Sequence, residues 1–346
     1  MQAFEFNGLP WKVMGGAGAV QRLPQVLGQA GLARALILST PGRATQVQQL
    51  RSILGASAVA TFTDAALHVP AAVVAQALGV ARDCGADCTV SIGGGSTTGL
   101  GKRLRLDAGL PHIAIPTTYA GSEMTPIWGL TDGAVKRTGR DPRVLPVAVI
   151  YDPELLLSLP PAVAGPSALN AMAQAIANVA ANPMAAVLAR EAIRVLASGL
   201  PRVMAASHDL EAQADMLHGA CLAGAALGLG RSGLHHRICH VLGGRYNLPH
   251  AETHAVLLPY SVAGTMRNDA GEAALVGAAL GAANPAQHLH DLVQRYCGRK
   301  SLHALGLPES ELGDTAAAVA AQGSADAALV LEILRGAFTG HRPGSV

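Results

Sequence analysis

Five of the chain's thirteen histidines fall within 21 residues, Leu234 to His254, "LHHRICHVLGGRYNLPHAETH". Imidazole is both a transition-metal ligand and an acid or base near neutral pH. The density therefore poses a choice between a metal centre, an acid/base site and neither. His236 and His240 stand four residues apart, so a helix ending at Gly243–Gly244 would put both on one face. His250 opens the next segment after Pro249, His254 follows one turn later, and His235 is expected to face away from His236. Against a catalytic role for each stands an ordinary one, a satisfied core histidine or a surface group, and that reading is strongest for His235.

A second chemical signal is "VSIGGGSTTGLGK" (90–102), three glycines between an apolar strand and a helix. Glycines let a backbone approach a pyrophosphate, and the amides opening the helix at Ser96–Thr98 favour anions. It is neither GxGxxG nor a Walker sequence, and a purely structural tight turn is the competing reading. "PTTYAGSEMT" (116–125) supplies a second small loop at the next strand end, so the two loops together suit one dinucleotide, NADH or NADPH. The expected cofactor contacts are Ser39, Gly93, Gly94, Gly95, Ser96, Thr117, Thr118 and Lys102. Lys102 has an alternative as an exposed lysine. Arg43 stands where a 2′-phosphate would lie, or in solvent.

The elements that must position these groups follow from periodicity. "ARALILST" (33–40), "ASAVATFT" (56–63), "DCTVSIGGGS" (87–96), "PHIAIPTT" (111–118) and "PVAVIYDP" (146–153) read as buried strands. Between them, 45–54, 71–84 and 97–106 have helical spacing, which predicts a mostly parallel doubly wound sheet with its ligand at the strands' carboxyl ends. After the Pro-rich "SLPPAVAGPS" (158–167) only helical patterns remain: 167–202, 210–230, 233–243, 254–266 and 324–338. The expected organisation is an α/β nucleotide-binding domain over 1–157 and an all-α substrate domain over 158–346, with a cleft between them.

Half of the 346 residues are apolar, 14% are charged, and the formal net charge is +2. With no run of five or more like charges, neither a nucleic-acid surface nor an electrostatic membrane anchor is indicated, and a small-molecule ligand is expected. The five cysteines are scattered without a CxxC pair, and no leader or 18-residue apolar run stands out. A reduced, cytoplasmic protein is the simplest expectation.

"GGGST", "PTTYAGSEMTPIWGLTDGAVKRTGRDPRVLP" with "YDPEL" after it, and "HHRICHVLGGRYNLPHAETHAVLLPY" resemble the iron-containing alcohol dehydrogenases, and within them the maleylacetate reductase branch. The likeness runs from about residue 4 to Tyr260. It implies the two-domain fold just described, a homodimer, and the reduction by NADH or NADPH of the carbon–carbon double bond of maleylacetate to give 3-oxoadipate. In metal-dependent relatives an Asp and a His four apart, with two His fourteen apart, hold the ion. The second pair is matched here by His236 and His250, the first by Asn170 and Gln174. Carboxamides are weak ligands for a divalent transition ion, so no metal is expected. Asn170 agrees with the metal-free branch; Gln174 departs further. "AAVAAQGSADAALV" (317–330) also lacks the branch's aromatic and Pro-rich stretch, which implies a different pocket wall.

Such a reduction needs hydride, a donor toward the developing enolate, a proton, and cations for two carboxylates. His236, His240 and His250 are the expected catalytic groups, acting through protonated imidazole. Tyr119, Lys136, Arg137, His254, Asn170 and Gln174 are the expected substrate contacts. Arg140 and Arg143 belong to the same cationic segment, whose alternative reading is a solvated loop. Two other functions stay open: a relative acting on a small carbonyl compound without redox, and a silent nucleotide-binding paralogue.

Overall fold

The computed structural model describes residues 6–133, 135–267, 269–323 and 325–344; Ser324, where the last helix is expected to open, lies outside them. Two compact units emerge, one of Gly8–Leu159 with Ser207–Leu217, the other chiefly Pro160–Ala206 and the residues from His218 on.

The first unit carries strands β1 (Val13–Gly15), β2 (Ala35–Leu38), β3 (Ala58–Phe62), β4 (Cys88–Gly93), β5 (His112–Pro116), β6 (Ile127–Asp132), β7 (Val135–Arg140) and β8 (Ala148–Tyr151). Helices α1 (Leu23–Gln29), α2 (Ala44–Leu54), α3 (Ala71–Asp83) and α4 (Gly95–Ala108) lie between them in sequence. Six strands form a parallel sheet in the order β1-β8-β5-β4-β2-β3. The chain steps from β2 out to β3, returns to β4 on the other side of β2, and continues through β5 to β8. The winding thus reverses between β2 and β4, whose carboxyl ends, Leu38 and Gly93, flank the switch point where doubly wound sheets take ligands. Burial on both faces explains why β2 and β8 read as unbroken apolar runs, "ALIL" and "AVIY".

Leu36, Leu38, Phe62, Val74, Ala77, Leu100 and Leu104 pack α3 and α4 onto the sheet. Gly101 brings α4 close to β5: a Cβ there would lie 2.3 Å from Nε2 of His112, a nitrogen 2.8 Å from the Ser91 hydroxyl. Asp152, from "YDPEL", accepts from the amides of Gly18 and Val20 at 3.2 and 3.0 Å and so fastens the chain after β1 to the end of β8.

The cationic "VKRTGR" is not a loop. It forms β7, paired antiparallel with β6 from Ile127↔Arg140 to Asp132↔Val135. β7 is mostly exposed, so its residues show no apolar alternation by which a strand is recognised.

The second unit is helical, as expected: α5 (Pro161–Ile176), α6 (Pro183–Ala205), the later turns of α7 (Leu210–Leu229), α8 (Leu234–Tyr246), α9 (His250–Met266), α10 (Ala270–Leu280), α11 (Pro285–Tyr296), α12 (Leu312–Ala320) and α13 (Ala327–Thr339). The single helical stretch read over 167–202 is two helices. Asn182 caps the second through the Ala185 amide, with Pro183 in its first turn. α8 passes through Gly243–Gly244 and stops at Asn247, which takes the left-handed conformation at φ 52°. An interior glycine costs a helix only about 1 kcal/mol; the reversal needs the left-handed residue. α9 begins at His250 rather than His254. Among the described residues no helix is long and apolar enough to cross a membrane.

Candidate active site

At the switch point β4 ends in Gly93, at φ 149°, and Gly94 caps α4 in extended conformation without a side-chain bond to the helix amides. Gly95 opens the helix, and a Cβ on it would meet nothing within 4 Å. A Cβ on Gly94 would instead meet Thr118 Oγ1 and Cγ2 at 3.0 Å, and one on Gly93 would meet Thr97 at 2.8 Å. The three glycines therefore differ: Gly95 faces open space, while the other two allow close packing of the loops. Ser96 follows Gly95 in the first turn, so its amide belongs to the positive end of a 14-residue helix. Thr117 donates its amide to the Gly93 carbonyl at 2.8 Å, and its buried Oγ1 has no partner among the described residues. Ser39 is buried at the end of β2. An open cradle, a helix amino terminus and an orphaned hydroxyl fit a dinucleotide pyrophosphate. Arg43 is engaged with Gln46 at 2.8 Å.

Lys102 is placed otherwise than expected. It is buried, and its ammonium donates to the carbonyls of Ser122 at 2.5 Å, Thr125 at 2.9 Å and Ile127 at 2.8 Å. Burial lowers its pKa to about 7, partly offset by nearby Glu123. Glu123 is itself buried and accepts from the Tyr151 hydroxyl at 2.6 Å, with desolvation raising its pKa. The exposed alternative for Lys102 is thereby excluded, and the residue holds the chain between β5 and β6. Tyr119, also buried, donates its hydroxyl to Gln213 Oε1 at 2.6 Å.

Lys136 and Arg137 are neighbours on β7 and so point to opposite faces of the hairpin. Lys136 Nζ lies 3.3 Å from Nδ1 of His68, Arg137 and Arg140 are exposed, and Arg143 is paired with Asp141. Two adjacent residues of one strand do not make a single carboxylate clamp.

In the helical unit the histidines do converge. Ring centroids stand 6.5 Å apart for His236–His240, 5.0 Å for His236–His254 and 4.4 Å for His250–His254. His235, expected to face away, belongs to the same cluster, 4.9 Å from His254 and 5.5 Å from His236. Its Nδ1 meets Ser261 Oγ at 2.9 Å and its Nε2 meets His254 Nδ1 at 3.0 Å. The reason is α9: by starting at His250 it carries His254 and Ser261 two turns apart along the face that receives His235. Neither nitrogen of His236, nor Nε2 of His254, has a partner among the described residues.

Burial sets the protonation state. Desolvation holds His236 down to about 4, and holds His235 and His254 well below the usual range, with neighbouring histidines adding to both. Burial thus favours the neutral form of these three rings at pH 7, against the protonated imidazole expected at His236.

Asn170 and Gln174 lie buried on α5, one turn apart. Asn170 Oδ1 has no partner among the described residues. A carboxamide offers a weak neutral oxygen and an NH₂ that donates. With neither a carboxylate nor a third imidazole in the set, Asn170, Gln174, His236 and His250 do not fit the iron-type centre.

Two family models match the chain: "Iron-containing alcohol dehydrogenase" over residues 10–153 and "Fe-containing alcohol dehydrogenase family, C-terminal" over 164–331. The maleylacetate reductase of Sphingobium indicum is 45% identical over 317 residues, 91% of this chain and 90% of the relative. That of Burkholderia cepacia is 47% identical over 311 residues, 89% and 88%. The crystal structure of maleylacetate reductase from Agrobacterium tumefaciens superposes with a TM-score of 0.92 at 42% identity, covering 99% of this chain and all of the other.

Proposed function

Because the chain belongs to the iron-containing alcohol dehydrogenase family, and its curated relatives are maleylacetate reductases, we propose that it reduces maleylacetate to 3-oxoadipate with NADH or NADPH. It is an oxidoreductase. The observation that carries the substrate is the 45% and 47% identity to curated maleylacetate reductases over about nine-tenths of the chain.

Nucleotide binding is assigned to residues 1–157 and substrate binding to 158–346. The bound nicotinamide supplies hydride to the alkene carbon β to the ketone. Gly95 and the first amides of α4 hold the pyrophosphate, with Thr117, Thr118 and Ser39 around it. As the electron pair moves onto the ketone oxygen, the neutral N–H of His236 donates to it, and a ring that is neutral throughout needs no proton uptake to do so. His240 and His250, half-buried at the edge of the cluster, are assigned the proton delivered to the α carbon. His254 orients His250 by ring contact. The amides of Asn170 and Gln174 are assigned to the substrate's carboxylate. The reaction consumes one NAD(P)H and one proton and runs without an ion at the Asn170–Gln174–His236–His250 set.

A homodimer in the cytoplasm completes this reading, supported by the homodimers usual in the resembling branch and by the scattered cysteines. The test is oxidation of NADH and of NADPH by the purified protein with maleylacetate and a panel of unsaturated oxo-acids. Turnover is expected with maleylacetate; nucleotide binding without turnover on any of them would remove the proposal.

A further inference from the structure

Beside the catalytic histidines lies a second cluster, in which only His254 has a part in the proposed reaction, as the ring that orients His250. His235 Nε2, Cys239 Sγ and His254 Nδ1 all lie within 4.8 Å of one another, and all three residues are buried. Two edges of this triangle are set by contacts: His235 Nε2 to His254 Nδ1 at 3.0 Å, and His235 Nε2 to Cys239 Sγ at 3.7 Å. With metal–nitrogen bonds of about 2.0–2.1 Å and a metal–sulfur bond of about 2.3 Å, a tetrahedral zinc site has nitrogen–nitrogen edges of about 3.3 Å and nitrogen–sulfur edges of about 3.6 Å. These two edges need adjustments of a few tenths of an ångström to match, and the third, between Cys239 Sγ and His254 Nδ1, is no longer than 4.8 Å.

Orientation favours ligation as well. Ser261 Oγ donates to the Leu257 carbonyl at 3.1 Å, so toward His235 it accepts, which places a proton on His235 Nδ1. The Nε2 lone pair of His235 is then turned into the triangle, as a hydrogen-bonded outer partner turns the imidazoles of metal sites. Cys239 follows His235 by one helical turn of α8, and His254 comes from the facing α9. Beside the triangle stands His236, buried, with no partner on either ring nitrogen among the described residues.

We propose that His235, Cys239 and His254 form a binding site for a borderline-soft divalent cation of the zinc class, distinct from the Asn170–Gln174–His236–His250 position of the metal-dependent relatives. The donor set, one thiolate and two imidazoles, is the kind that selects such ions over magnesium or calcium. On ligation the proton between the two imidazoles moves to Nε2 of His254, and the Cys239 thiol proton leaves to solvent. The fourth corner takes a water, which His236 receives by hydrogen bond. This site stands whether or not the reductase assignment holds.

Cobalt(II) titration of the whole protein tests it. One equivalent is expected to bind, giving the visible bands of tetrahedral cobalt and a near-ultraviolet thiolate-to-cobalt band. Cys239→Ser should abolish the near-ultraviolet band and weaken binding at least tenfold; His235→Gln should weaken it similarly. Asn170→Ala and His250→Ala should leave the band in place. Circular dichroism and retained nucleotide binding verify that the variants fold. No binding by the wild type, a thiolate band that survives Cys239→Ser, or loss of binding in His250→Ala would each overturn the proposal.

Discussion

The rings of His236 and His254 meet edge to face, 5.0 Å between centroids and 64° between planes, and both are fully enclosed and held neutral. Neutral burial of this kind makes the protein sensitive to acid. A histidine whose folded pKa lies below its unfolded value contributes stability that is present above pH 6.5 and lost as pH falls toward the folded pKa. Four rings behave so: His236, down to about 4; His112, down to about 3 by burial with nearby Lys102 and Arg105; and His235 and His254, held well below the usual range by burial and neighbouring histidines. Each withdraws up to about 1.4 kcal/mol per pH unit in that window. Glu123 and Glu272, whose pKa values are raised chiefly by burial, work in the opposite sense, but they are two groups against four. Urea midpoints measured at pH 7.5, 6.5, 5.5 and 5.0 should fall steadily below pH 6.5. A midpoint that stays level would mean these rings titrate in the folded protein as they do in water.

Gly95 and Gly94 separate a cofactor cradle from a packing constraint. Valine at Gly95 enters open space, so Gly95→Val should leave the melting temperature within a few degrees of wild type while weakening NADH binding at least tenfold. At Gly94 the Cβ meets Thr118, so Gly94→Val should lose stability as well. Calorimetry and nicotinamide fluorescence read the two effects. Undiminished nucleotide affinity in Gly95→Val would move the pyrophosphate elsewhere.

Lys102 gives the converse case. Its ammonium satisfies three carbonyls in the interior, so Lys102→Met should cost about 3–5 kcal/mol of stability by leaving buried groups unpaired. Nucleotide affinity of the folded fraction should change little. A large loss of affinity at unchanged stability would return Lys102 to the cofactor.

These residues show what sequence can and cannot disclose. Five strands of the parallel sheet, β2, β3, β4, β5 and β8, were legible as apolar runs, unbroken where both faces are buried as in β2 and β8, and the helical second half because its spacing is periodic. β1 has three residues and β7 is exposed, so neither leaves such a pattern. The histidine cluster was legible as a density of one residue type. The inward turn of His235 was not, because it depends on Ser261 and His254 of another helix, contacts that no spacing within "LHHRICH" encodes. Lys102 was misplaced for a related reason. An ammonium after a glycine loop reads as a ligand group, whereas its partners are main-chain carbonyls, which carry no sequence signature. Cys239 sits four residues after His235, and that interval on an apolar helix was the available signal for a thiol beside an imidazole.

Gly101 and His112 test the packing of α4 on β5. A methyl group at Gly101 would fall 2.3–2.6 Å from three atoms of the His112 ring, which is fixed by Ser91 and cannot swing aside freely. Gly101→Ala should therefore destabilise by about 1–3 kcal/mol although alanine is the better helix former. Chemical denaturation measures it. A variant at least as stable as wild type would show that the helix–strand approach is looser than the structure has it.

The last prediction separates the roles of the cluster. His236 is neutral at working pH and is assigned the hydrogen bond to the developing enolate oxygen; His240 and His250 are assigned the proton. Losing a donor aimed at developing charge costs about 2.7–4 kcal/mol of barrier, roughly 100- to 1,000-fold in rate. His236→Ala should lower kcat with maleylacetate by about that factor; losing a positioned proton donor costs roughly 100- to 10,000-fold, so His240→Ala and His250→Ala should each lower kcat within that range, with nucleotide affinity nearly unchanged. Because the His236 titration lies near 4, pH dependence of kcat between 6 and 8 cannot come from that ring. If it arises from the proton donor, the dependence should flatten in one of the two alanine variants, and His236→Gln, which keeps a neutral N–H donor, should retain both the profile and more activity than His236→Ala. Wild-type turnover in both His240→Ala and His250→Ala would leave the cluster a packing feature and put the proton source elsewhere in the protein.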